Sequence, residues 1–369
     1  MFSADEHRFM ARALELAERG LFSTTPNPRV GCVIVSAGEI VGEGWHRRAG
    51  GPHAEVDALA VAGERSRGAS AYVTLEPCSH FGRTPPCVSA LVHAGITRVV
   101  AAMIDPNPLV AGKGFAALEA AGIDVVSGLM ESEALALNIG YVSRMKLGRP
   151  WVRLKIAASL DGKTALKNGV SKWITSSQAR QDAHRWRARS CVILTGIGTI
   201  LADDPQMNVR DVETSRQPVK VVIDNRLEIP LHAKIFDQGE TLVATVTEDS
   251  DKVGRLRDRG VQVIVLPSSS GKVDLHALSR ELGKRQVNEI LVEAGNNLNG
   301  ALLRAGLVDE IVLYLAPLLL GDPARGLFAI PELNQLGEAQ RLKIQDVCVI
   351  GPDIRIIARV DAHPVIQAQ

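Results

Sequence analysis

A histidine and two cysteines in the first quarter of the chain have the composition of a zinc site. His53 begins a His-Ala-Glu run, Cys78 follows a proline, and Cys87 comes nine positions later. One imidazole and two thiolates are typical zinc ligands, and a tetrahedral zinc with three protein ligands keeps its fourth position open for water. Zinc lowers the pKa of such a water to about 7, so hydroxide is available at neutral pH. These residues therefore indicate a hydrolytic metal site.

A glutamate two residues beyond the histidine suits a different role. If the hydrolysis is a deamination, the departing ammonia needs a proton, which the carboxyl group of Glu55 can deliver. A His-x-Glu run followed by Pro-Cys and a second Cys is the signature of zinc nucleobase deaminases. We therefore predict that Glu55 is catalytic. The alternative is a closed zinc site that only stabilises the fold, which requires a fourth ligand and leaves Glu55 without a role.

The gap between the two cysteines departs from the generic signature, which has two residues there. The eight-residue insert from Ser79 to Pro86 contains His80, Arg83 and a double proline. Such a segment could contact a charged group of the substrate, such as a phosphate. An ordinary surface loop explains the same residues almost as well.

The flanking sequence predicts elements that bring the three ligands together. Pro52 suits the first turn of a helix that carries His53 and Glu55, and Gly63 ends it. A short strand from Ala71 to Leu75 leads to Cys78, and Cys87 opens a helix that runs to His93. The positive ends of two helices would then face one ion and favour thiolate over thiol.

The N-terminal segment predicts a capped helix, a rigid turn and a hairpin. Ser3 to Glu6 is a capping-box pattern at the start of an amphipathic helix that ends near Arg19. Asn27 lies between two prolines, which hold it extended, and its amide could read the edge of a pyrimidine. An asparagine in an ordinary turn is the alternative. Strands Val30–Ser36 and Glu39–Trp45 form the hairpin.

Strands and helices alternate from residue 71 to 146, ending with a helix predicted from Met130 to Lys146. This alternation predicts a partly parallel sheet covered by helices. The run Leu-Gly-Arg-Pro at 147–150 is a helix stop followed by a proline. We therefore predict two domains, 1–146 and 150–369.

The second domain begins with a strand, Trp151 to Ala157, and a basic helix capped near Ser176. Most arginines of this helix are predicted to be solvated, with one or two available to clamp a phosphate. They are Arg180, Arg185, Arg187 and Arg189.

Two strand–glycine–helix turns in the second domain indicate nucleotide binding. One follows a strand ending at Thr195 and reads Gly-Ile-Gly-Thr, and the other runs from Glu293 to Ala301. Such turns can present backbone N–H groups to a phosphate. Neither has the full Gly-x-Gly-x-x-Gly spacing, so each by itself is also explained as turn chemistry.

Composition excludes several classes of protein. A chain of 369 residues is longer than a single hydrophobic core usually accommodates, so two domains are expected. A net charge of +1 provides no excess of basic residues for binding nucleic acid. The most apolar run, Ile311 to Leu320, is too short to span a bilayer, and the N-terminus does not read as a signal peptide. The odd set of cysteines, with Cys32, Cys191 and Cys348 predicted to be buried, favours the cytoplasm. Small-molecule substrates fit best.

Several segments together resemble the bifunctional deaminase-reductase of riboflavin biosynthesis, over nearly the whole chain. The similar segments are 53–55 and 77–87 in the first half and 155–163, 173–176, 201–205 and 292–295 in the second. The resemblance implies a mixed α/β protein, in which an N-terminal cytidine-deaminase-like α/β/α domain is followed by a dihydrofolate-reductase-like α/β domain. A homo-oligomer is also expected.

The resemblance also implies two reactions on pyrimidine ribose-phosphates. The first is zinc-dependent hydrolytic deamination of 2,5-diamino-6-(5-phosphoribosylamino)pyrimidin-4(3H)-one. The second is NADPH-dependent reduction of the ribosyl group of 5-amino-6-(5-phosphoribosylamino)uracil to ribityl.

Site residues follow by matching positions. Zinc is expected at His53, Cys78 and Cys87, with Glu55 as the proton carrier. NADPH contacts are expected at Ala157, Trp173, Thr199, Asp203, Asn225, Gly295, Asn296, Asn297, Leu298, Asn299, Gly300 and Ala301. Substrate contacts are expected at Ser171, Arg187, Met207, Arg210 and Glu293 in the reductase. Asn27 is predicted to contact the substrate of the deaminase from its place between two prolines, not from the resemblance.

Three questions stay open at this level. The zinc signature is shared with nucleic-acid-editing deaminases, although the wide cysteine gap and balanced charge count against that function. A non-catalytic nucleotide-binding regulator with a structural zinc is the alternative from another class. The proton donor of the reduction is undecided between Glu293, Asp161 and Lys155.

Overall fold

A computed structural model of the chain describes residues 2–79 and 86–361. The chain divides between Gly148 and Arg149 into two compact units. The insert residues His80 and Arg83 lie outside the described residues. Within those residues, no helix combines the length and the apolar character needed to cross a bilayer.

The first unit is a five-stranded sheet, as far as the described residues extend, with helices against it. The sheet order is β2-β1-β3-β4-β5, in which β1 is antiparallel to both neighbours and β3, β4 and β5 are parallel. The elements are α1 (Ala4–Glu18), β1 (Gly31–Ser36), β2 (Glu39–Trp45), α2 (Ala54–Ala62), a 3-10 turn (Gly63–Ser66), β3 (Ser70–Val73), α3 (Cys87–His93), β4 (Arg98–Ala101), α4 (Lys113–Ala120), β5 (Asp124–Ser127), α5 (Glu131–Leu137) and α6 (Ile139–Leu147).

Helix α1 has the predicted capping box and buried face. The Ser3 hydroxyl accepts from the Glu6 backbone N–H at 3.2 Å, and the Glu6 carboxylate accepts from the Ser3 N–H at 2.8 Å. Both bonds satisfy N–H groups that a helix start leaves unpaired. The side chains of Phe9, Met10 and Leu14 are buried in a core shared with β1.

Two glycines of β2 allow helix α2 to lie directly on the sheet. A Cβ atom at Gly42 would lie 2.2 Å from the Ala58 carbonyl oxygen, and one at Gly44 would lie 2.2 Å from the Ala54 oxygen. Any larger residue would push the helix away, because real Cβ contacts are not that short. This close approach sets the distance between the strands and α2, which has His53 as its N-cap and Glu55 in its first turn.

The helix predicted from Met130 to Lys146 is interrupted, so that prediction is wrong in detail. The break is at Asn138, whose side chain accepts from the Arg29 N–H at 2.8 Å and donates to the Arg29 carbonyl at 2.9 Å. These bonds join residues 109 positions apart and coincide with the departure of the Asn138 backbone from helical geometry. A periodic pattern of apolar residues cannot reveal such a long-range partner.

The second unit is built on a nine-stranded sheet within the described residues. Its order is β11-β10-β9-β8-β12-β6-β13-β16-β15; neighbours from β11 to β13 are parallel, and the last two pairs are antiparallel. The elements are β6 (Trp151–Ser159), β7 (Lys163–Ala165), α7 (Ser177–Arg189), β8 (Val192–Gly196), α8 (Ile197–Asp203), β9 (Val219–Ile223), a 3-10 turn (Lys234–Phe236), β10 (Thr241–Thr245), α9 (Ser250–Asp258), β11 (Gln262–Val265), α10 (Leu275–Lys284), β12 (Glu289–Val292), α11 (Asn296–Arg304), β13 (Glu310–Ala316), β14 (Arg325–Gly326), a 3-10 turn (Leu336–Glu338), β15 (Leu342–Ile350) and β16 (Asp353–Val360).

Helices α9 and α10 were not predicted, although each has an aspartate N-cap. Asp249 accepts from the Lys252 N–H at 3.1 Å, and Asp274 accepts from the Ala277 N–H at 2.9 Å. Helix α11 begins directly after Gly295, inside the predicted glycine turn. These aspartates were the available sequence signal for the two missed helices.

The arginines of helix α7 are mostly engaged, so the prediction that most are solvated is wrong. Arg187 pairs with Glu293, Arg189 pairs with Glu289, and the Arg180 guanidinium stacks on an indole. Arg185 is exposed. The acidic partners lie on other elements far along the chain, which a single-helix pattern does not reveal.

None of the five cysteines forms a disulfide within the described residues. The prediction of buried thiols outside the metal site is confirmed for Cys32, whereas Cys191 and Cys348 are only partly buried. Cys348 lies on β15, the edge strand of the large sheet, which has a neighbouring strand on one side only and is therefore less buried.

Candidate active sites

The three predicted zinc ligands converge on one point. The His53 Nδ1 atom lies 3.0 Å from Cys87 Sγ and 3.5 Å from Cys78 Sγ, and the two sulfurs are 3.5 Å apart. A disulfide needs about 2.05 Å. A tetrahedral zinc would give separations of about 3.8 Å between sulfurs and about 3.6 Å from sulfur to nitrogen. The donor set and its spacing therefore fit zinc, with Nδ1 as the ligating atom of His53.

Each ligand is held at the end of an element. His53 is the N-cap of α2 with extended backbone, one position before the helix in which it was predicted to lie. Cys87 is the first residue of α3, and its N–H donates to Cys78 Sγ at 3.4 Å. Hydrogen bonding from Cys87 and the nearby His53 imidazole lower the pKa of Cys78, while the same pairing and burial raise the pKa of Cys87. One thiolate is thus already favoured.

Glu55 lies in the first turn of α2 and is 3% exposed. Burial raises the pKa of this carboxyl group, although the His53 charge opposes the shift. A carboxylate with a raised pKa is a stronger base than an ordinary carboxylate and takes up a proton more readily. This environment suits the predicted proton carrier.

Asn27 and a histidine that was not predicted lie beside the metal site. The Asn27 side-chain amide is 3.0 Å from His46 Nε2, and His46 Nδ1 lies 2.9 Å from the Pro52 carbonyl oxygen. Because a carbonyl only accepts, Nδ1 carries the proton and Nε2 accepts from Asn27. Burial lowers the pKa of His46, which favours this neutral form, and its ring meets the His53 ring edge-on at 5.4 Å.

The second candidate site lies at the carboxyl ends of the parallel strands, where ligands of open α/β sheets bind. Lys155 and Ala157 share one face of β6, alternating with buried neighbours. The predicted cofactor residues follow three further strands: Thr199 lies in α8 after β8, Asn225 follows β9, and the run from Gly295 to Ala301 follows β12. The fold therefore places these residues at one edge of the sheet.

Arg187 and Glu293, both predicted to contact substrate, bind each other. The guanidinium makes two bonds to the carboxylate, at 2.6 and 2.9 Å, and a third to the Asn208 carbonyl at 2.9 Å. Burial by itself raises the pKa of Glu293, but the charges of Arg187 and Lys155 outweigh it and lower the pKa to about 2. Glu293 is therefore ionised at neutral pH and is unsuited as a proton donor.

The other two proton-donor candidates differ in their surroundings. Asp161 accepts from the Ser159 hydroxyl and from the Leu320 and Gly321 N–H groups, and these bonds lower its pKa. Asp161 therefore stabilises the loop that contains Leu320 and Gly321. Burial lowers the pKa of Lys155, whose ammonium lies 5.7 Å from the centre of the Tyr314 ring. A lysine with a lowered pKa releases its proton more readily, so Lys155 suits the role better than Glu293 or Asp161.

Trp173 presents an indole that is 66% exposed and stacked against the Arg180 guanidinium at 4.5 Å. Its neighbour Lys172 pairs with Asp203 at 3.1 Å, which draws the segment containing Ser171 toward α8. Three predicted contacts, Ser171, Trp173 and Asp203, are thus brought into one region.

Some predicted contacts are turned inward. Met207 is 4% exposed and packs in the apolar core under β8 and β9. Gly300 is explained by packing, because a Cβ there would lie 2.2 Å from the Ala329 carbonyl oxygen. Asn299 is buried, and its Oδ1 has no hydrogen-bond partner in the described structure. Asn225 Oδ1 accepts from the Val273 N–H at 2.9 Å. The side chains of Met207, Asn225 and Asn299 are therefore less available to a ligand than predicted, and Gly300 is required for packing.

His184 supports the predicted substrate residue Arg210 and gives the unit a pH-dependent stability. Its Nδ1 accepts from the Arg210 N–H at 3.4 Å, and its Nε2 lies 3.2 Å from Asp211. Burial and then the charge of Arg187 lower the pKa of His184 from 6.5 to about 4. Between these values the unfolded chain binds a proton that the folded imidazole does not, so stability falls as pH falls.

We expect the unfolding free energy of the second unit to decrease by up to about 3 kcal/mol between pH 7 and pH 4 from this group. Denaturant unfolding of His184→Gln should lose that part of the pH dependence, whereas the exposed His276→Gln should keep it. An unchanged pH profile in His184→Gln would show that His184 titrates normally.

Each unit of the chain matches a known protein family. Residues 3–103 match the family model "Cytidine and deoxycytidylate deaminase zinc-binding region", and residues 150–356 match "RibD C-terminal domain". The riboflavin biosynthesis protein RibD of Escherichia coli is 53% identical over 363 residues, covering 95% of this chain and 98% of the relative. The RibD of Haemophilus influenzae is 47% identical, covering 96% and 97%.

The chain belongs to the RibD family. A solved structure of Acinetobacter baumannii RibD superposes with a TM-score of 0.90 at 46% identity, covering 97% of this chain and 99% of that one. A deaminase/reductase from Thermotoga maritima superposes with 0.86 at 32% identity, covering 96% and 99%. The expected fold and the bifunctional deaminase-reductase of riboflavin biosynthesis are confirmed, and the nucleic-acid-editing alternative is not favoured.

Proposed function

We propose that residues 1–146 form the deaminase, with His53 Nδ1 and the Cys78 and Cys87 thiolates as zinc ligands. When bound, zinc supplies a hydroxide at neutral pH. Glu55 takes the proton of the attacking water and passes it to the departing ammonia, a role its burial beside Cys87 supports. The observation that carries this proposal is the convergence of one imidazole nitrogen and two sulfurs next to a buried acid.

The proposed substrate of this half is a diaminohydroxyphosphoribosylaminopyrimidine, the compound in the name of the Thermotoga maritima relative. Asn27 suits the recognition of its ring edge, because His46 takes one amide hydrogen and thereby fixes which way the amide points. The remaining amide hydrogen and the oxygen are then presented in a defined order.

Residues 150–369 are proposed to form a reductase that uses NADPH. The first turn of α11 begins at Gly295 and has no side-chain cap, so its N–H groups suit a pyrophosphate. Thr199 and Asp203 lie on α8, which follows β8, and β8 is the neighbour in the sheet of β12, the strand before α11. The exposed Trp173 offers a flat apolar surface. These features support a dinucleotide, while the choice of NADPH over NADH follows the family resemblance.

Within this half, Lys155 is proposed to donate the proton that reduction of the ribosyl group requires, while the hydride comes from the dinucleotide. Arg187 keeps N–H groups that Glu293 and Asn208 do not use, and Arg210 is exposed, so both suit the substrate phosphate. Glu293 fixes the Arg187 guanidinium and keeps the site electrically balanced.

The chain is also proposed to form homo-oligomers through β15. This strand is at the edge of the large sheet, and its exposed apolar residues would pair antiparallel with those of a second copy. They are Leu342, Ile344, Val347 and Val349. Sedimentation equilibrium should give a multiple of the 39.6 kDa chain mass. In the Val347→Asp variant, the measured mass should shift toward that of the monomer. A parent chain that is monomeric would overturn the proposal. The lack of disulfides among the described residues fits a reducing cytoplasm.

Replacement of one metal ligand separates the two activities. Cys78→Ser should lose zinc and stop ammonia release from the diaminopyrimidine phosphate. NADPH oxidation with the deaminated substrate should continue at the parent rate, because the zinc ligands and the reductase residues lie in different units. Loss of both activities together would show that the two sites are not independent.

A further inference from the structure

A buried carboxylate immediately before the Pro-Cys element has no assigned role. Glu76 is 3% exposed and accepts from four backbone N–H groups. Its Oε2 accepts from Asp105 at 3.1 Å and from Gly112 at 2.9 Å. Its Oε1 accepts from Gly114 at 2.8 Å and from Phe115 at 3.4 Å. The charge is thus held by two separate stretches of backbone.

Three of these donors belong to the start of helix α4, whose N-cap is Gly112. N–H groups at a helix start lack partners within the helix and carry partial positive charge, so an anion is favourable there. The Gly-Lys-Gly run at 112–114 resembles a turn for an external phosphate, but the anion it holds is Glu76. The same carboxylate lies two residues from the zinc ligand Cys78.

The helix start also packs directly on the ligand segment. A Cβ atom at Gly114 would lie 2.0 Å from the Pro77 carbonyl oxygen. On the opposite side, the Glu76 N–H donates to the Met103 carbonyl at 3.0 Å. Glu76 and Pro77, the two residues that precede Cys78, therefore contact the segment after β4 and the first turn of α4.

The loop that supplies the donors is itself fixed. The Asp105 carboxylate accepts from the Tyr141 hydroxyl at 3.0 Å and from the Asn107 N–H at 2.8 Å. Tyr141 is buried in α6, so the loop is attached to the body of the unit as well as to Glu76. A rigid support of this kind can set the position of a neighbouring ligand.

We propose that Glu76 is a positioning residue of the deaminase: by binding the start of α4, its carboxylate holds the Cys78 sulfur where the zinc site needs it. This inference rests on the proposed zinc site. Groups behind metal ligands typically change metal affinity by 10–100-fold when they are removed. Glu76 acts one step further back, through the backbone that carries the ligand.

The test is zinc affinity measured by competition with a chromophoric chelator in the full-length chain. Glu76→Gln replaces one acceptor oxygen with an NH₂ group that faces backbone donors. We expect zinc to bind at least about 10-fold more weakly, while NADPH oxidation by the second unit stays at the parent rate. Glu119→Gln, on the exposed side of the same helix, is the matched control and should bind zinc normally.

Gly114→Ala disturbs the same contact without changing any charge. Its added methyl group must displace the Pro77 carbonyl, so zinc binding should weaken here as well. Zinc affinities within twofold of the parent in both variants would overturn the inference. If the parent chain itself binds no zinc, the proposed deaminase site fails instead, so the two failures can be told apart.

Discussion

Glu55→Gln is expected to keep one zinc per chain and to release ammonia about 10³-fold more slowly than the parent. Glutamine has the same shape as glutamate, so the ligands at His53, Cys78 and Cys87 keep their positions. It cannot take a proton from water and return it to a leaving amine, and general acid–base catalysis typically contributes 10²–10⁴-fold. Metal analysis and an ammonia assay on the same preparation measure both quantities.

The matched control is Glu64→Gln, an exposed glutamate in the turn that follows the same helix. It should retain both zinc and the parent rate. NADPH oxidation with the deaminated substrate should be unchanged in both variants. If Glu55→Gln deaminates at nearly the parent rate, Glu55 is not the proton carrier, and a structural zinc becomes the better interpretation.

Lys155→Met is expected to lower kcat of the reductase by about 10²–10⁴-fold, the usual contribution of a positioned proton donor. Methionine keeps the length of the buried side chain and removes the proton and the charge. The dinucleotide should still bind, because Trp173, Asp203 and the start of α11 are untouched. Stopped-flow measurement of NADPH oxidation, with separate titration of NADPH binding, separates the two effects.

Ammonia release by Lys155→Met should match the parent, and so should both activities of Lys284→Met at the exposed end of α10. A reductase that loses affinity for the substrate with kcat unchanged would contradict the role of proton donor. Lys155 would then be a binding residue that balances the charge of Glu293.

Much of the fold was predictable because short-range chemistry specified it. The capping box at Ser3, the turn between β1 and β2 and the alternation of strands and helices are all local patterns, and they fixed most elements to within a few residues. The break at Asn138 was not predictable, because its cause is a pair of bonds to Arg29, 109 positions away.

The metal site was predictable for a related reason. Its chemistry requires particular residue types, so His53, Cys78 and Cys87 were visible before their geometry was known. His46 was missed because a single histidine after a strand carries no pattern, and only its contacts with Asn27 and Pro52 reveal it. Sequence spacing identifies ligands better than the residues that orient them.

The reductase site was harder to predict residue by residue. Arg187 and Glu293 were both expected to face the substrate, but no local pattern shows that they bind each other across α7 and β12. Met207 was expected at the same site, yet its side chain fills the core below β8 and β9. Side-chain direction at such positions depends on packing between distant elements, whereas the placement of the turns followed from the strand order.

X-ray absorption at the zinc edge of the purified parent chain tests the central claim most directly. The account predicts one zinc per chain with two sulfur ligands at about 2.3 Å, one imidazole nitrogen at about 2.0–2.1 Å and one light atom from water in the fourth position. A zinc with four protein ligands would make the site structural. A chain that binds no zinc would contradict the account of the first unit altogether.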